Sequence, residues 1–173
     1  RQAVSFAIQE YCKSSISLKI IAEISQKAEQ NFAGCNCGLL DQYSSIYGVN
    51  SALIHSDFMT HEIKTVNISK KAIFLMINSN TTHELSESPY NERRKSCYEA
   101  VKELDKIFDK KINSLRDVPY KDFKKNQNQL QNLANKRAEH VVGEIERVKL
   151  GLNHLKNNRL TDFGSLLFAS HES

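Results

Sequence analysis

The stretch Gly34-Cys35-Asn36-Cys37-Gly38-Leu39-Leu40-Asp41-Gln42-Tyr43 decides how this chain is read. Its two glycines let the backbone turn tightly and approach a ligand closely, because no side chain stands in the way. Leu39, Leu40, Tyr43, Ile46 and Tyr47 then recur at helical spacing, which predicts one or two helical turns. Asp41 lies at the start of that run. A helix N-terminus favours a carboxylate there and aims it back into the glycine loop. Taken alone, a turn followed by an aspartate-capped helix is a common structural device.

Upstream, Val4, Ala7, Ile8 and Tyr11 share one side of a segment read as a buried helix that ends at Ser14 and Ser15. Ser17 reads as the N-cap of the next helix. Ile20, Ile21, Ile24, Ala28 and Phe32 form its inward stripe, with Lys19, Glu23, Lys27 and Gln30 outside. Downstream of the turn Gly48-Val49-Asn50, strands are expected at Ser51 to His55 and at Ile63 to Ile68, the second alternating as a half-exposed strand does. Ala72 to Ile77 is apolar without a break, which predicts a strand buried on both faces. It empties into the polar loop Asn78-Ser79-Asn80-Thr81-Thr82, of a kind that often carries function.

From Asn91 onward the pattern is helical. Cys97, Val101, Leu104 and Phe108 form one stripe, with Ala100 and Ile107 beside it. Leu115 to Pro119 is a break, Phe123 an isolated anchor, and Lys124 to Gln131 a polar helix face or loop. The longest helix is expected over Leu130 to Asn157, with Leu133, Ala134, Val141, Ile145, Val148, Leu152 and Leu155 inward. Thr161 is expected to cap a last helix carrying Phe163, Leu166 and Leu167. Helices, then strands, then helices describe an α+β chain rather than alternating βαβ units.

The chain has 173 residues, 40% hydrophobic and 25% charged, enough for one good core or for the middle of a larger protein. No apolar run approaches membrane-spanning length. The net charge of +4 is mild, and lysines alternate with acids on the helix faces, which speaks against a nucleic-acid surface. Four cysteines, Cys12, Cys35, Cys37 and Cys97, do not make a disulfide framework in a chain of this size, so a reducing cytoplasm is expected. Cys35 and Cys37, with His55 or His61, do not have the spacing of a common structural zinc site, and no metal site is expected. Arg137, Glu139, His140 and Glu144 are spaced for salt bridges along one helix.

Three groups of residues together resemble the galactokinases, a family of the small-molecule kinases named for galactose, homoserine, mevalonate and phosphomevalonate (GHMP kinases). The first is Ala28-Glu29, Phe32 and Cys37-Gly38-Leu39-Leu40-Asp41-Gln42. The second is Asn78-Ser79-Asn80, His83-Glu84-Leu85 and Ser88-Pro89-Tyr90-Asn91-Glu92-Arg93-Arg94, with Cys97 after it. The third is Leu115-Arg116-Asp117-Val118, Lys136 to Glu144, Arg147, Phe163-Gly164 and Ser170-His171. The resemblance runs nearly end to end. It implies part of the two-domain GHMP-kinase fold, with helices on a mostly antiparallel sheet followed by a helical region. Residues 1–68 would then be the C-terminal part of the N-terminal kinase domain, and residues 69–173 the start of the C-terminal domain.

The activity the resemblance implies is transfer of the γ-phosphoryl of ATP, with Mg2+, to the C1 hydroxyl of galactose. Asp41 matches the aspartate facing that hydroxyl, as base or orienting acceptor. Gly38 matches a loop position whose backbone contacts the sugar, and Tyr90 a tyrosine whose hydroxyl reaches it. Several family motifs are missing: the N-terminal segment supplying an arginine partner, the Gly-Leu-Ser-Ser-Ser-Ala phosphate loop and the C-terminal glycine-rich motif. The six glycines (34, 38, 48, 143, 151 and 164) include no phosphate-cradling cluster. The chain is therefore expected to be a central fragment, inactive by itself. Two alternatives stay open within the resemblance: a sugar sensor or transcriptional inducer without turnover, and a kinase for another hexose such as N-acetylgalactosamine.

Overall fold

The computed structural model describes residues 2–34, 36–80 and 90–173, and the side chains of Tyr90, Asn91 and Asn132 lie outside that description. The chain forms two compact units, Arg1–Glu87 and Ser88–Ser173.

The first unit begins with helix α1 (Gln2–Tyr11), which contacts α2 (Leu18–Ala33) and α3 (Leu40–Tyr47). Ser17 caps α2 as its sequence demands: its backbone is extended and its hydroxyl accepts the Ile20 N–H at 3.3 Å. Gly34 ends α2 in the left-handed region at φ 66°, where a glycine is adopted at least cost. Ala22, Leu39 and Tyr43 make the core of this unit, with Ile46, Tyr47 and Ile63 packed around them. Strands β1 (Ala52–Asp57) and β2 (Glu62–Asn67) pair antiparallel, from Ala52 opposite Asn67 to Asp57 opposite Glu62. The Asp57 carboxylate accepts the N–H groups of Met59 at 2.9 Å and Thr60 at 3.1 Å, which closes the hairpin turn.

Three expectations fail in this unit. The apolar side of α1 is exposed, at Val4, Ile8 and Tyr11. The inward face of α2 is Ile21, Ala22 and Ser25, while Ile20, Ile24 and Phe32 face solvent. The apolar arc of α2 is wider than what covers it, so the packing of α3 decides which part is buried. Ala72 to Ile77 is an irregular segment rather than a buried strand, with Ile73 to Ile77 exposed. A strand needs a neighbour for its N–H and C=O groups, and among the described residues the sheet consists of β1 and β2 alone.

The second unit is helical. Helices α4 (Tyr90–Ile107), α5 (Tyr120–Asn126), α6 (Asn132–Lys156) and α7 (Leu160–Glu172) follow one another, with a 3-10 turn over Leu115–Asp117. Ala100, Leu104, Ile112, Leu115, Val118, Phe123, Leu130, Ala134, Ala138 and Val142 form one continuous core, flanked by Cys97, Val101, Phe108 and Val141. Phe123 is central to it, fully enclosed rather than isolated. On α6 the buried residues are Ala134, Ala138, Val142, Gly143 and Gly151, whereas Leu133 and Val148 are exposed. Small side chains there let α4 approach closely. The N-cap of α7 is Arg159, two residues before the expected cap Thr161. Asp117 locks the 3-10 turn by accepting the N–H groups of Asn113 and Ser114, both at 2.9 Å. Those bonds hold its carboxyl below the usual carboxylate range. Among the described residues no helix is long and apolar enough to cross a membrane.

Candidate functional site

The site is built from the end of α2, the glycine loop and the start of α3. Leu39 drops into the core and fixes the depth at which the loop leaves it, and Tyr43 does the same one turn later. Tyr43 is 1% exposed, and its hydroxyl lies 2.8 Å from Nδ1 of His61, the last residue of the hairpin turn. Its ring stacks on Phe58 with centroids 6.0 Å apart and meets Tyr47 edge-on at 5.7 Å. Burial, with smaller contributions from Tyr47 and Glu23, pushes its phenol pKa up, so it stays a neutral hydrogen-bonding group. This anchors α3 on one side and leaves the other side outward.

Asp41 and Leu40 are on that outward side, both exposed, with Asp41 in the first turn of α3. An exposed carboxylate there can accept a hydrogen bond from a hydroxyl-bearing ligand without first breaking a core contact. Gln42, the next residue, points the opposite way: it is buried, and its Nε2 donates to Glu29 of α2 at 3.1 Å.

The loop itself is held by α2. Nε2 of Gln26 and Nε2 of Gln30 both donate to the carbonyl oxygen of Cys37 at 3.0 Å. Gly38 follows directly, exposed and outside the left-handed region. A Cβ built on it meets nothing within 4 Å. Gln26, Glu29 and Gln30 lie at i, i+3 and i+4 on α2, so one face of that helix holds both the loop and α3.

Of the expected site residues, Gly38 and Asp41 lie three positions apart on one exposed bend. Tyr90 is the first residue of α4 in the second unit, and its side chain lies outside the described residues. Thr81, Thr82 and His83 to Pro89 are outside them as well. Sequence reading placed Gln30 on the solvent side of α2 and passed over Gln26. The available signal was three hydrogen-bonding side chains at helical spacing just before a glycine loop.

Residues 2–49 match the family described as GHMP kinases N terminal domain. The galactokinase of Thermotoga maritima is 36% identical over 172 residues, a match covering 99% of this chain and 46% of that protein. The galactokinase of Haemophilus influenzae (strain PittGG) is 37% identical over 178 residues, covering 99% of this chain and 45% of its own length. The crystal structure of Lactococcus lactis galactokinase complexed with galactose superposes with a TM-score of 0.84 at 28% identity, over 98% of this chain and 44% of that one. The chain thus spans about half the length of the curated relatives it matches. In sequence and in fold it is homologous to galactokinases along nearly its whole length.

Proposed function

We infer that this chain, homologous to galactokinases over 99% of its length, supplies the sugar-facing loop of a galactose 1-kinase. The observation that carries the reading is the exposed Gly38–Asp41 bend, backed by a polar face of α2, within the Cys37-Gly38-Leu39-Leu40-Asp41-Gln42 motif. In the proposed reaction the C1 hydroxyl of galactose attacks the γ-phosphorus of ATP in line and ADP leaves. The hydroxyl proton passes toward the Asp41 carboxylate, which orients the oxygen whether or not it takes the proton fully. Gly38 offers its backbone to the sugar and Tyr90 its phenol. The domain division proposed here remains 1–68 and 69–173.

Among the described residues no group of three His, Cys, Asp or Glu side chains could hold a metal ion, and the glycines make no phosphate cradle. ATP and Mg2+ are therefore assigned to other parts of the complete gene product, and no step is routed through them here. We further propose that the enzyme works in the cytoplasm. The 173-residue chain alone is expected to lack kinase activity.

The test is ATP consumption by the complete gene product with galactose, glucose or N-acetylgalactosamine, beside the chain alone. Turnover with galactose only, and none from the isolated chain, is the expected result. Galactose binding without turnover would replace the kinase with a sugar sensor. A preference for N-acetylgalactosamine would reassign the substrate.

A further inference from the structure

We propose that Gln26 and Gln30 are positioning residues for the sugar: together they aim the Gly38 N–H outward as a ligand donor. The proposal rests on the sugar-kinase reading above. The Cys37 carbonyl oxygen and the Gly38 N–H belong to the same planar peptide, and in a trans peptide they point in opposite directions. Both glutamine amides donate to that oxygen at 3.0 Å, from consecutive turns of α2. A carbonyl has two lone pairs, so the two donors fill its acceptor capacity. The peptide plane is fixed with its oxygen toward α2, and the Gly38 N–H faces away from that helix.

A second observation points to a ligand. Gly38 has no left-handed backbone to demand a glycine, and a Cβ there would meet nothing within 4 Å. Neither the fold of the described residues nor its packing explains why this position lacks a side chain. Close approach of a hydroxyl-bearing molecule to the peptide does explain it. Two hydrogen bonds to the oxygen also polarise the peptide and make its N–H a stronger donor. Glu29, between the two glutamines on the same face, holds Gln42 beside Asp41. One stripe of α2 therefore sets the spacing between an outward N–H and the exposed residue Asp41.

The variant Gln26→Met/Gln30→Met keeps side-chain size and helix propensity and removes both donors. In the complete gene product it is expected to raise KM for galactose roughly tenfold, the effect of about one lost hydrogen bond. The KM for ATP should stay within about twofold, and Gln26→Met/Gln30→Lys, which restores one donor on a long stem, should recover part of the loss seen in Gln26→Met/Gln30→Met. A merely structural role would move both KM values together or lower the melting temperature without splitting them, and either result overturns the proposal. Should the double variant fail to fold, the wild-type chain labelled with 15N and 13C decides: through-hydrogen-bond couplings from the two Nε2 atoms to the Cys37 carbonyl carbon support the clamp, and their absence overturns it. A wild-type gene product with no galactose-dependent turnover sinks the kinase reading itself. Turnover with an unaffected galactose KM in the double variant sinks the clamp alone.

Discussion

The two units solve the problem of holding a bend in different ways. Around Phe123, ten buried apolar residues from α4, the 3-10 turn, α5, α6 and the segments joining them enclose one another, and the polar bonds of Asp117 only finish the job. Around Gly38, the buried cluster is Ala22, Leu39 and Tyr43, and polar side chains on α2 hold the loop. Ile20, Ile24 and Phe32 on the same helix stay exposed, Phe32 at 91%. On the proposed sugar-kinase reading, the difference matches what each region would do. A closed apolar core gives stability that is indifferent to what binds outside. A loop held by directional bonds keeps one face of its backbone open, and direction is what a phosphoryl-transfer site needs most.

Phe123→Ala tests the contrast most severely. Emptying that position should cost about 3 to 5 kcal/mol and lower the unfolding midpoint of the second unit. Amide signals from α2 and α3 should not change at temperatures below that transition. Loss of both sets of signals together would show that the units do not differ as described.

A smaller effect, about 1 kcal/mol, is expected for Asp117→Asn, which weakens the lock on the 3-10 turn. Here the pH dependence sharpens the prediction. The Asp117 carboxyl is held below its ordinary value by the Asn113 and Ser114 N–H groups. Its contribution is therefore fully present above the unfolded carboxylate pKa of about 3.9 and lost as pH falls through the lower folded value. Urea unfolding from pH 7 down to pH 2 should show a steeper acid loss for the wild type than for Asp117→Asn. Parallel curves would mean that the carboxylate adds nothing.

In the first unit, Tyr43→Phe keeps the ring stack on Phe58 and removes the bond to His61, at a cost of about 1 kcal/mol. Phe32→Ala should change the stability of this chain by less than about 0.5 kcal/mol, as exposed positions do. A larger loss from Phe32→Ala would mean that the apolar arc of α2 is covered after all.

How much of this the sequence revealed follows from how local each cause is. Ser17 and Gly34 announced the ends of α2 because a cap and a left-handed turn need only their own neighbours. Strands near β1 and β2, though not their pairing, and the stripe Cys97, Val101, Leu104 and Phe108 were legible in the local pattern. The buried face of α2 was not, because Ile20, Ile21, Ala22 and Ile24 span an arc that only α3 could divide. Ala72 to Ile77 reads as a buried strand by composition, yet burial requires partners that local sequence does not name. At the candidate site, Asp41 and Gly38 are named only through the resemblance, since a helix cap is by itself the favoured explanation of Asp41. Gln26 and Gln30 were missed because their acceptor, the Cys37 carbonyl, lies 11 and 7 residues away along the chain.

The most direct measurement is the rate of galactose 1-phosphate formation from galactose and ATP by the complete gene product, wild type against Asp41→Asn. The asparagine keeps the size and exposure of the side chain and gives up the charge that receives the proton. A fall of roughly 10²-fold or more, with the melting temperature unchanged, is the predicted result. A variant that forms the product within about twofold of the wild-type rate would show that the carboxylate on this bend does not address the sugar hydroxyl.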